Sequence, residues 1–216
     1  MKLCEYQELT DVVFDFDGVL IDSNTAKRFA FATTACAFAK NPLHFKNFDA
    51  NFGNDGRHRI IQRNLFTLEN CYEIPVSESQ FNSAYETVLA SILTTVNKPF
   101  QLDRLRSFNP KCDWHIVSAS SESWLLSFVK DHYHQYVFKS VRGSPLSKRE
   151  ILAEAALPPK STLLIGDRCD DRLVAEGFGF KAVLVTAWSN CDIVSGMCPD
   201  GALVWRSLDD FILSLR

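Results

Sequence analysis

Acidic side chains follow two short apolar runs of the sequence, at positions where they could hold a metal ion. Asp15 and Asp17 lie at the end of the run over residues 11–18, and Asp167 and Asp171 follow the run over residues 162–166. Residues that are two apart on a regular strand lie on the same face. Two carboxylates on one face repel each other unless a cation or a shared proton is near. Oxygen ligands with open positions for water suit Mg²⁺. The pattern favours a magnesium site, while the Asp15–Asp17 pair alone is equally typical of a solvated acidic turn.

A serine and a lysine could complete an anion site beside these carboxylates. Ser118 ends the apolar run 114–118, and its hydroxyl, with the backbone N–H groups that follow from Ala119, could hold an anion at a helix N-terminus. Lys148 lies just inside a predicted helix and is a point charge of the kind that binds phosphate. Each residue by itself is more typical of an ordinary helix cap or surface position. At the ends of successive strands, the two together indicate one site.

The elements that must position these residues alternate between strand and helix. Apolar runs cover residues 11–18, 114–118, 162–166 and 181–186, with a weaker run at 202–205, and helical patterns cover residues 122–131, 147–156 and 170–178. Near-continuous apolar strands that alternate with helices predict an α/β fold, a doubly wound, Rossmann-like parallel sheet covered on both faces. In such a sheet the carboxyl ends of the strands face one ligand crevice, where the candidate side chains would meet.

Residues 23–100 break this alternation, because they contain no comparable strand. Helical patterning is expected at residues 25–40, 57–68 and 78–96, and many phenylalanines crowd the first half. These rings are expected to form the core of an inserted all-helical domain. The predicted domains are therefore a catalytic core of residues 1–22 and 101–216 and a helical cap of residues 23–100.

Composition excludes several classes of protein. The chain has 216 residues, of which 46% are hydrophobic, and a net charge of −3. It has ample apolar mass for a core, no basic excess to bind nucleic acid, and no apolar run long enough for a membrane span. Seven cysteines without a CxxC pair are expected to be free thiols in the cytoplasm.

Four segments, in this order, resemble the four motifs of the haloacid dehalogenase superfamily. They are Asp15-Phe-Asp17-Gly-Val-Leu-Ile-Asp-Ser23, Val117-Ser118-Ala119-Ser120, Lys148, and Gly166-Asp167-Arg-Cys-Asp-Asp171. The resemblance covers essentially the whole chain, and the order of the four motifs is specific whereas any single motif is not. The insert is similar in position to that of the helical-cap subfamily, which includes phosphoglycolate phosphatases and β-phosphoglucomutases.

The resemblance implies a Mg²⁺-dependent phosphatase that hydrolyses a small phosphate ester, expected to be a sugar phosphate, through a phosphoaspartyl intermediate. It implies that Asp15 is the nucleophile and a metal ligand. The Asp17 side chain is implied as the general acid and base. The main-chain carbonyl of Asp17 and the carboxylate of Asp167 are implied as further metal ligands.

The resemblance also assigns the residues around the phosphoryl group. Ser118, Ala119 and Lys148 are implied to hold its oxygens and to stabilise the charge that develops on them. Asp171 is implied either to orient Lys148 or to complete the outer shell of the metal.

Substrate selection is expected in the cap, because the core binds only the phosphoryl group and the metal. The candidates are Arg57 and Arg59, on the glycine-bearing polar segment 51–59, and Lys27. A solvated turn is the equal alternative for this segment. We expect a monomer or a homodimer.

Two other functions remain open at this stage. Phosphomutases that resemble this chain usually have a histidine where Lys27 stands, which favours a phosphatase over a β-phosphoglucomutase-like enzyme. A phosphate-binding or receiver-like signalling module is the non-enzyme alternative. Gly18 and the insert argue against a receiver.

Overall fold

The computed structural model describes residues 1–52, 57–96, 98–189 and 203–215. Within these ranges the strands are β1 (Asp11–Phe14), β2 (Asp113–Ser121), β3 (Ser140–Ser144), β4 (Thr162–Gly166), β5 (Lys181–Val185) and β6 (Leu203–Trp205). They form one parallel sheet in the order β3-β2-β1-β4-β5-β6. The predicted doubly wound α/β core is confirmed.

Helices connect the strands and form the insert. In chain order they are α1 (Leu3–Gln7), α2 (Ser23–Ala39), α3 (Phe45–Asp49), α4 (Arg57–Tyr72), α5 (Glu78–Leu93), α6 (Leu102–Phe108), α7 (Glu122–His132), α8 (Lys148–Ala155), α9 (Cys169–Phe178) and α10 (Leu208–Ser214). The helices predicted at residues 122–131, 147–156 and 170–178 correspond to α7, α8 and α9. Among the described residues, none of these helices is long and apolar enough to cross a membrane.

The central strand β1 is buried along its whole length. Val12, Val13 and Phe14 are fully buried, and Phe14 packs edge to face on Trp114 of β2, with ring centroids 5.2 Å apart. Strands covered on both faces need apolar side chains on both, which is why β1 reads as a continuous apolar run.

The edge strand β3 differs from expectation, because the sequence predicts no strand there. Its five residues, Ser-Val-Arg-Gly-Ser, contain one large apolar side chain and are mostly half-buried. An edge strand has a neighbour on one side only, so polar residues are tolerated and the apolar signal is lost.

The chain divides into two compact units. One comprises Met1–Ile21 with Lys98–Arg216, and the other comprises Asp22–Asn97. Aromatic rings fill the second unit: Phe31 stacks on Tyr85 with centroids 4.1 Å apart, and Phe48 and Phe81 are fully buried. This unit therefore has its own hydrophobic core.

Strand register brings the candidate residues to one edge of the sheet. Phe14 of β1 is paired with Ile116 of β2 and with Ile165 of β4. Since all three strands are parallel, the residues that follow these partners extend from the same edge. Asp15, Ser118 and Asp167 each come one or two residues later.

The point where the chain returns from the insert to the sheet layer is held by the last helix. The Asp209 carboxylate of α10 accepts hydrogen bonds from the backbone N–H groups of Phe100 and Gln101, at 3.1 and 2.8 Å. These bonds satisfy backbone donors immediately before α6, which has no side-chain cap of its own.

The cysteines depart in one respect from the expectation of free thiols. Cys4, Cys36, Cys71 and Cys112 are free, whereas Cys169, at the start of α9, is disulfide-bonded. Disulfides are typical of oxidising compartments, so the cysteine content no longer supports a reducing cytoplasm. Cys191 and Cys198 lie outside the described residues.

Candidate active site

Asp15 is the first residue beyond β1 and is 5% exposed. Its backbone N–H donates to the carbonyl of Ile165, at 2.8 Å, which continues the ladder between β1 and β4. Its carboxylate Oδ1 accepts from the N–H of Phe16, at 2.7 Å, and its Oδ2 lies 2.7 Å from Lys148 Nζ. The side chain is thus fixed at both oxygens.

Lys148 is delivered to the site by the start of α8. The preceding Ser147 caps this helix: its Oγ accepts from the N–H of Glu150, whose carboxylate accepts from the N–H of Ser147. This capping box fixes where the helix begins. Lys148 Nζ lies 2.7 Å from Asp15 Oδ2 and 2.5 Å from Asp171 Oδ1. Burial lowers the pKa of Lys148, but the two carboxylates outweigh it and the pKa is raised, so the side chain is an ammonium.

The end of β4 supplies two further buried carboxylates. Asp167 and Asp171 are each 2% exposed, and Asp171 Oδ2 accepts from the N–H of Arg168, at 3.2 Å. Asp171 packs directly over Gly166: a Cβ at Gly166 would lie 2.3 Å from the Asp171 Cβ. Glycine is therefore the residue that lets the α9 carboxylate reach the end of the strand. Ser189 donates to the main-chain carbonyl of Asp167, at 2.7 Å.

The charges of this cluster match a divalent cation. Ligand oxygens of Asp15, Asp167 and Asp171 lie within 4.8 Å of one another, and all three residues are buried. When all three carboxyls are ionised, the cluster and the ammonium of Lys148 together carry a formal excess of two negative charges. Burial, and then the neighbouring carboxylates, raise the pKa of Asp167; burial likewise raises the pKa of Asp15, against the opposing effect of Lys148. A buried excess of oxygen anions fits a hard ion such as Mg²⁺.

Ser118 and Ser120, near the carboxyl end of β2, form the other side of the site. Ser118 is fully buried, and its Oγ accepts from the N–H of Ser120, at 3.1 Å. Ser120 Oγ donates to Asp17 Oδ2, at 2.7 Å. The segment that is predicted to bind phosphate therefore also contacts the predicted general acid.

Asp17 does not lie on a regular strand, contrary to the expectation from the sequence. Strand β1 ends at Phe14, and Asp17 pairs with Ile21 in an isolated parallel bridge. Gly18 follows with a φ of 78°, and its N–H donates to the carbonyl of Ile21. The same-face argument for Asp15 and Asp17 is wrong for this reason: the chain leaves the strand before Asp17 and turns.

The chain matches no protein-family model and no curated protein. It is similar to solved structures along nearly its whole length. A protein of Haemophilus somnus assigned as a phosphoglycolate phosphatase has a TM-score of 0.69 and 17% identity, covering 95% of this chain and 97% of that one. A protein of Thermotoga maritima assigned as a β-phosphoglucomutase has a TM-score of 0.67 and 15% identity, with the same coverage. A haloacid dehalogenase superfamily hydrolase of Geobacter sulfurreducens, of subfamily IA, has a TM-score of 0.62 and 17% identity, covering 97% and 98%.

The chain has the haloacid dehalogenase fold. This agrees with the resemblance drawn from the four sequence motifs, which the overall identity of 15–17% to these three structures would not reveal. In this fold the motif residues Asp15, Lys148, Asp167 and Asp171 converge, as their contacts above describe.

The candidate substrate residues lie in the helical unit. Arg57 contacts Asn82 and Glu86 of α5, at 2.9 and 2.5 Å, and its guanidinium lies 4.9 Å from the centre of the Tyr85 ring. Arg59 also lies on α4, and Lys27 lies half-buried on α2. Residues 53–56 of the predicted polar segment lie outside the described residues. Arg57 therefore has a role in joining α4 to α5, whatever else it contacts.

The site contact that sequence reasoning missed is the hydrogen bond from Ser120 to Asp17. Ser120 stands in the second motif beside Ser118, but the sequence assigns it no role. The signal available in the sequence was its spacing, because a residue two positions after Ser118 on an extended segment lies on the same side as Ser118. The sequence did not predict the turn after Phe14, which brings the Asp17 carboxylate into contact with Ser120.

Proposed function

We propose that the protein is a Mg²⁺-dependent phosphatase that hydrolyses a small phosphate ester, with a sugar phosphate as the expected class. The observation that carries this proposal is the buried cluster in which Lys148 contacts Asp15 while Asp167 and Asp171 lie beside it. A nucleophilic carboxylate, an ammonium for phosphoryl oxygens and an anionic metal site are the parts that such a reaction needs. Location in the cytoplasm stays a prediction.

Asp15 is the nucleophile in this proposal. One of its carboxylate oxygens attacks phosphorus, forming an O–P bond, as the bond from phosphorus to the ester oxygen breaks. Its backbone contact with β4 and the N–H of Phe16 hold the carboxylate in place for this attack. A fixed reactant avoids much of the entropic cost of bringing two groups together.

Asp17 transfers the protons. Its carboxyl gives a proton to the departing ester oxygen, so that an alcohol leaves. In the second step the Asp17 carboxylate takes a proton from water, whose oxygen attacks phosphorus and releases phosphate and the free Asp15 carboxylate. General acid–base help of this kind is typically worth about 10²–10⁴-fold in rate.

Lys148, Ser118 and the N–H of Ala119 hold the phosphoryl oxygens. Lys148 Nζ lies 2.7 Å from the nucleophile, so its charge is beside the phosphoryl group throughout. Asp171 orients Lys148, since it contacts the ammonium at 2.5 Å and is itself held by the N–H of Arg168. Burial strengthens these charge interactions relative to water.

Asp15, Asp167 and the main-chain carbonyl of Asp17 are the proposed holders of Mg²⁺. When bound, the ion supplies positive charge that offsets the buried carboxylates and the developing phosphoryl charge. Three carboxylates beside one ammonium carry a formal excess of two negative charges when all are ionised, which supports a divalent ion over a monovalent one.

The decisive experiment measures inorganic phosphate released from a panel of alkyl phosphates, sugar phosphates included, by wild type and by Asp15→Asn. We expect Mg²⁺-dependent release by wild type and background release by the variant. Asp113→Asn is the matched control, because Asp113 lies at the amino end of β2, away from the site, and is partly exposed. Undiminished turnover by Asp15→Asn would falsify the proposal.

The same reaction, followed by NMR with a hexose 1-phosphate, separates a phosphatase from a phosphomutase. A phosphatase releases one phosphate for each ester consumed, with no need for a bisphosphate. Conversion to the 6-phosphate, primed by added bisphosphate, would replace our proposal with a mutase. Lys27, in place of the mutase histidine, supports the phosphatase.

A further inference from the structure

Ser120 makes a direct contact with the proposed proton-transfer group. Its Oγ donates to Asp17 Oδ2, at 2.7 Å, and the residue is half-buried. A hydrogen bond to a charged group is roughly twice as strong as one between neutral groups. The contact joins the end of β2 to the turn after β1, two segments that are far apart in sequence.

The backbone around Ser120 is held from two sides. Its N–H donates to Ser118 Oγ, at 3.1 Å, and its carbonyl lies so close to Gly143 of β3 that a Cβ there would be 2.3 Å away. Gly143 is held in turn, because its N–H donates to Glu122 Oε2, at 3.1 Å. The register between β2 and β3 shifts between Val117 and Ser121, which lets this part of β2 leave the regular ladder.

Asp17 lies beyond the end of strand β1, in a turn and not in the hydrogen-bonded ladder of the sheet. Beyond Phe14 the chain has left the strand, and Asp17 is followed by a glycine with positive φ. A contact from a neighbouring segment helps to fix the rotation of a carboxylate on a turn, and Ser120 at the end of β2 provides one.

We propose that Ser120 is a positioning residue, whose hydroxyl holds the Asp17 carboxyl in the orientation that transfers protons during phosphate-ester hydrolysis. This inference rests on the proposed function. A hydroxyl suits the task because it both donates and accepts. It can donate to Asp17 as a carboxylate and accept from it as a carboxylic acid, the two forms that alternate in the reaction.

The test compares esters that differ in their need for an acid. Ser120→Ala should lower kcat for an alkyl phosphate by about 10–100-fold, with KM nearly unchanged, since the lost bond to a charged group acts on proton transfer and not on binding. For p-nitrophenyl phosphate, whose leaving group departs without a proton, the loss should be under about threefold. Ser123→Ala is the matched control, because Ser123 is an exposed serine of the same region whose Oγ lies 3.0 Å from Ser121 Oγ. We expect it to retain both activities.

Two further variants keep the hydroxyl separate from the shape of the side chain. Ser120→Thr retains the hydroxyl and should keep most of the activity on the alkyl phosphate. Valine has nearly the same shape as threonine but no hydroxyl, so Ser120→Val should lose this activity. Equal losses with both esters, or equal activity of the Thr and Val variants, would overturn the positioning role.

A double-mutant cycle with Asp17→Asn distinguishes this inference from the proposed function. If Ser120 acts through Asp17, Ser120→Ala should cause no further loss in the Asp17→Asn background. Additive losses would overturn the inference and leave the phosphatase in place. An Asp17→Asn variant that keeps full alkyl activity would instead reject the proposed proton transfer and, with it, the role of Ser120.

Discussion

Lys148 Nζ lies 2.7 Å from Asp15 Oδ2, so the first residue of α8 contacts the first residue beyond the central strand β1. The lysine is also 2.5 Å from Asp171 and is mostly buried, with 19% of its side chain exposed. A buried charge pair contributes little net stability as a pair, but removal of one partner leaves the other uncompensated. We therefore expect the removal of Lys148 to destabilise the folded site as well as to remove the proposed phosphate contact.

We predict that Lys148→Met abolishes phosphate release and lowers the free energy of unfolding in EDTA by about 3–5 kcal/mol. The reason is that the buried carboxylates of Asp15 and Asp171 lose the ammonium that contacts both of them, while the carboxylate of Asp167 stays beside them. Urea unfolding followed by circular dichroism measures the change. Lys139→Met is the control: Lys139 pairs with Asp113 on the surface, where both side chains are about half exposed and solvent screens the pair, so its loss should change the free energy of unfolding far less. Equal losses in the two variants would contradict the prediction.

Magnesium should stabilise the protein through Asp167. At a concentration 100-fold above its Kd, an ion that binds only the folded state adds about 2.7 kcal/mol. We expect Tm to rise with Mg²⁺ in wild type and to return to its starting value with EDTA. In Asp167→Asn the rise should disappear, while Asp113→Asn should keep it. A rise of the same size in Asp167→Asn would place the ion elsewhere.

Gly166→Ala tests the close approach of α9 to β4. The new Cβ would lie 2.3 Å from Asp171 Cβ and 2.5 Å from its Oδ2, so Asp171 must move away from Lys148. Overpacking of this kind costs typically about 1–3 kcal/mol, and we expect turnover to fall with it. The control is Gly177→Ala within α9, where a Cβ meets nothing within 4 Å and alanine is the better helix former. It should leave turnover unchanged and raise Tm slightly.

The cap arginines should respond differently to alanine. Arg57 bonds with Asn82 and Glu86, so Arg57→Ala should weaken the packing of α4 on α5 and lower Tm. If Arg59 contacts the substrate, Arg59→Ala should lower kcat/KM for the preferred ester by about 10–100-fold, with little effect on a small aryl phosphate. Steady-state kinetics with both esters measures the difference. Equal losses with the two esters would mean that Arg59 is structural, and Lys27 would become the better candidate.

The apolar runs predicted the central strands because burial on both faces leaves a continuous signal, as in Val12–Phe14. The same physics explains the missed strand β3, whose edge position removes the need for apolar residues. Spacing and motif order predicted that Asp15, Lys148 and Asp167 belong to one site, since parallel strands present their carboxyl ends together. Contacts that depend on a turn could not be predicted, and the bond from Ser120 to Asp17 is the clearest case.

Asp209 has a consequence for protein engineering. The chain enters the helical unit after Ile21 and returns at Lys98, and Asp209 of α10 holds the backbone at Phe100 and Gln101 immediately afterwards. A chimaera that exchanges the insert for a foreign one can keep every carboxylate of the buried cluster, because none comes from residues 22–97. The downstream junction of such a chimaera should lie before Lys98 and not after Gln101. The N–H groups of Phe100 and Gln101 are then kept and can still donate to the Asp209 carboxylate.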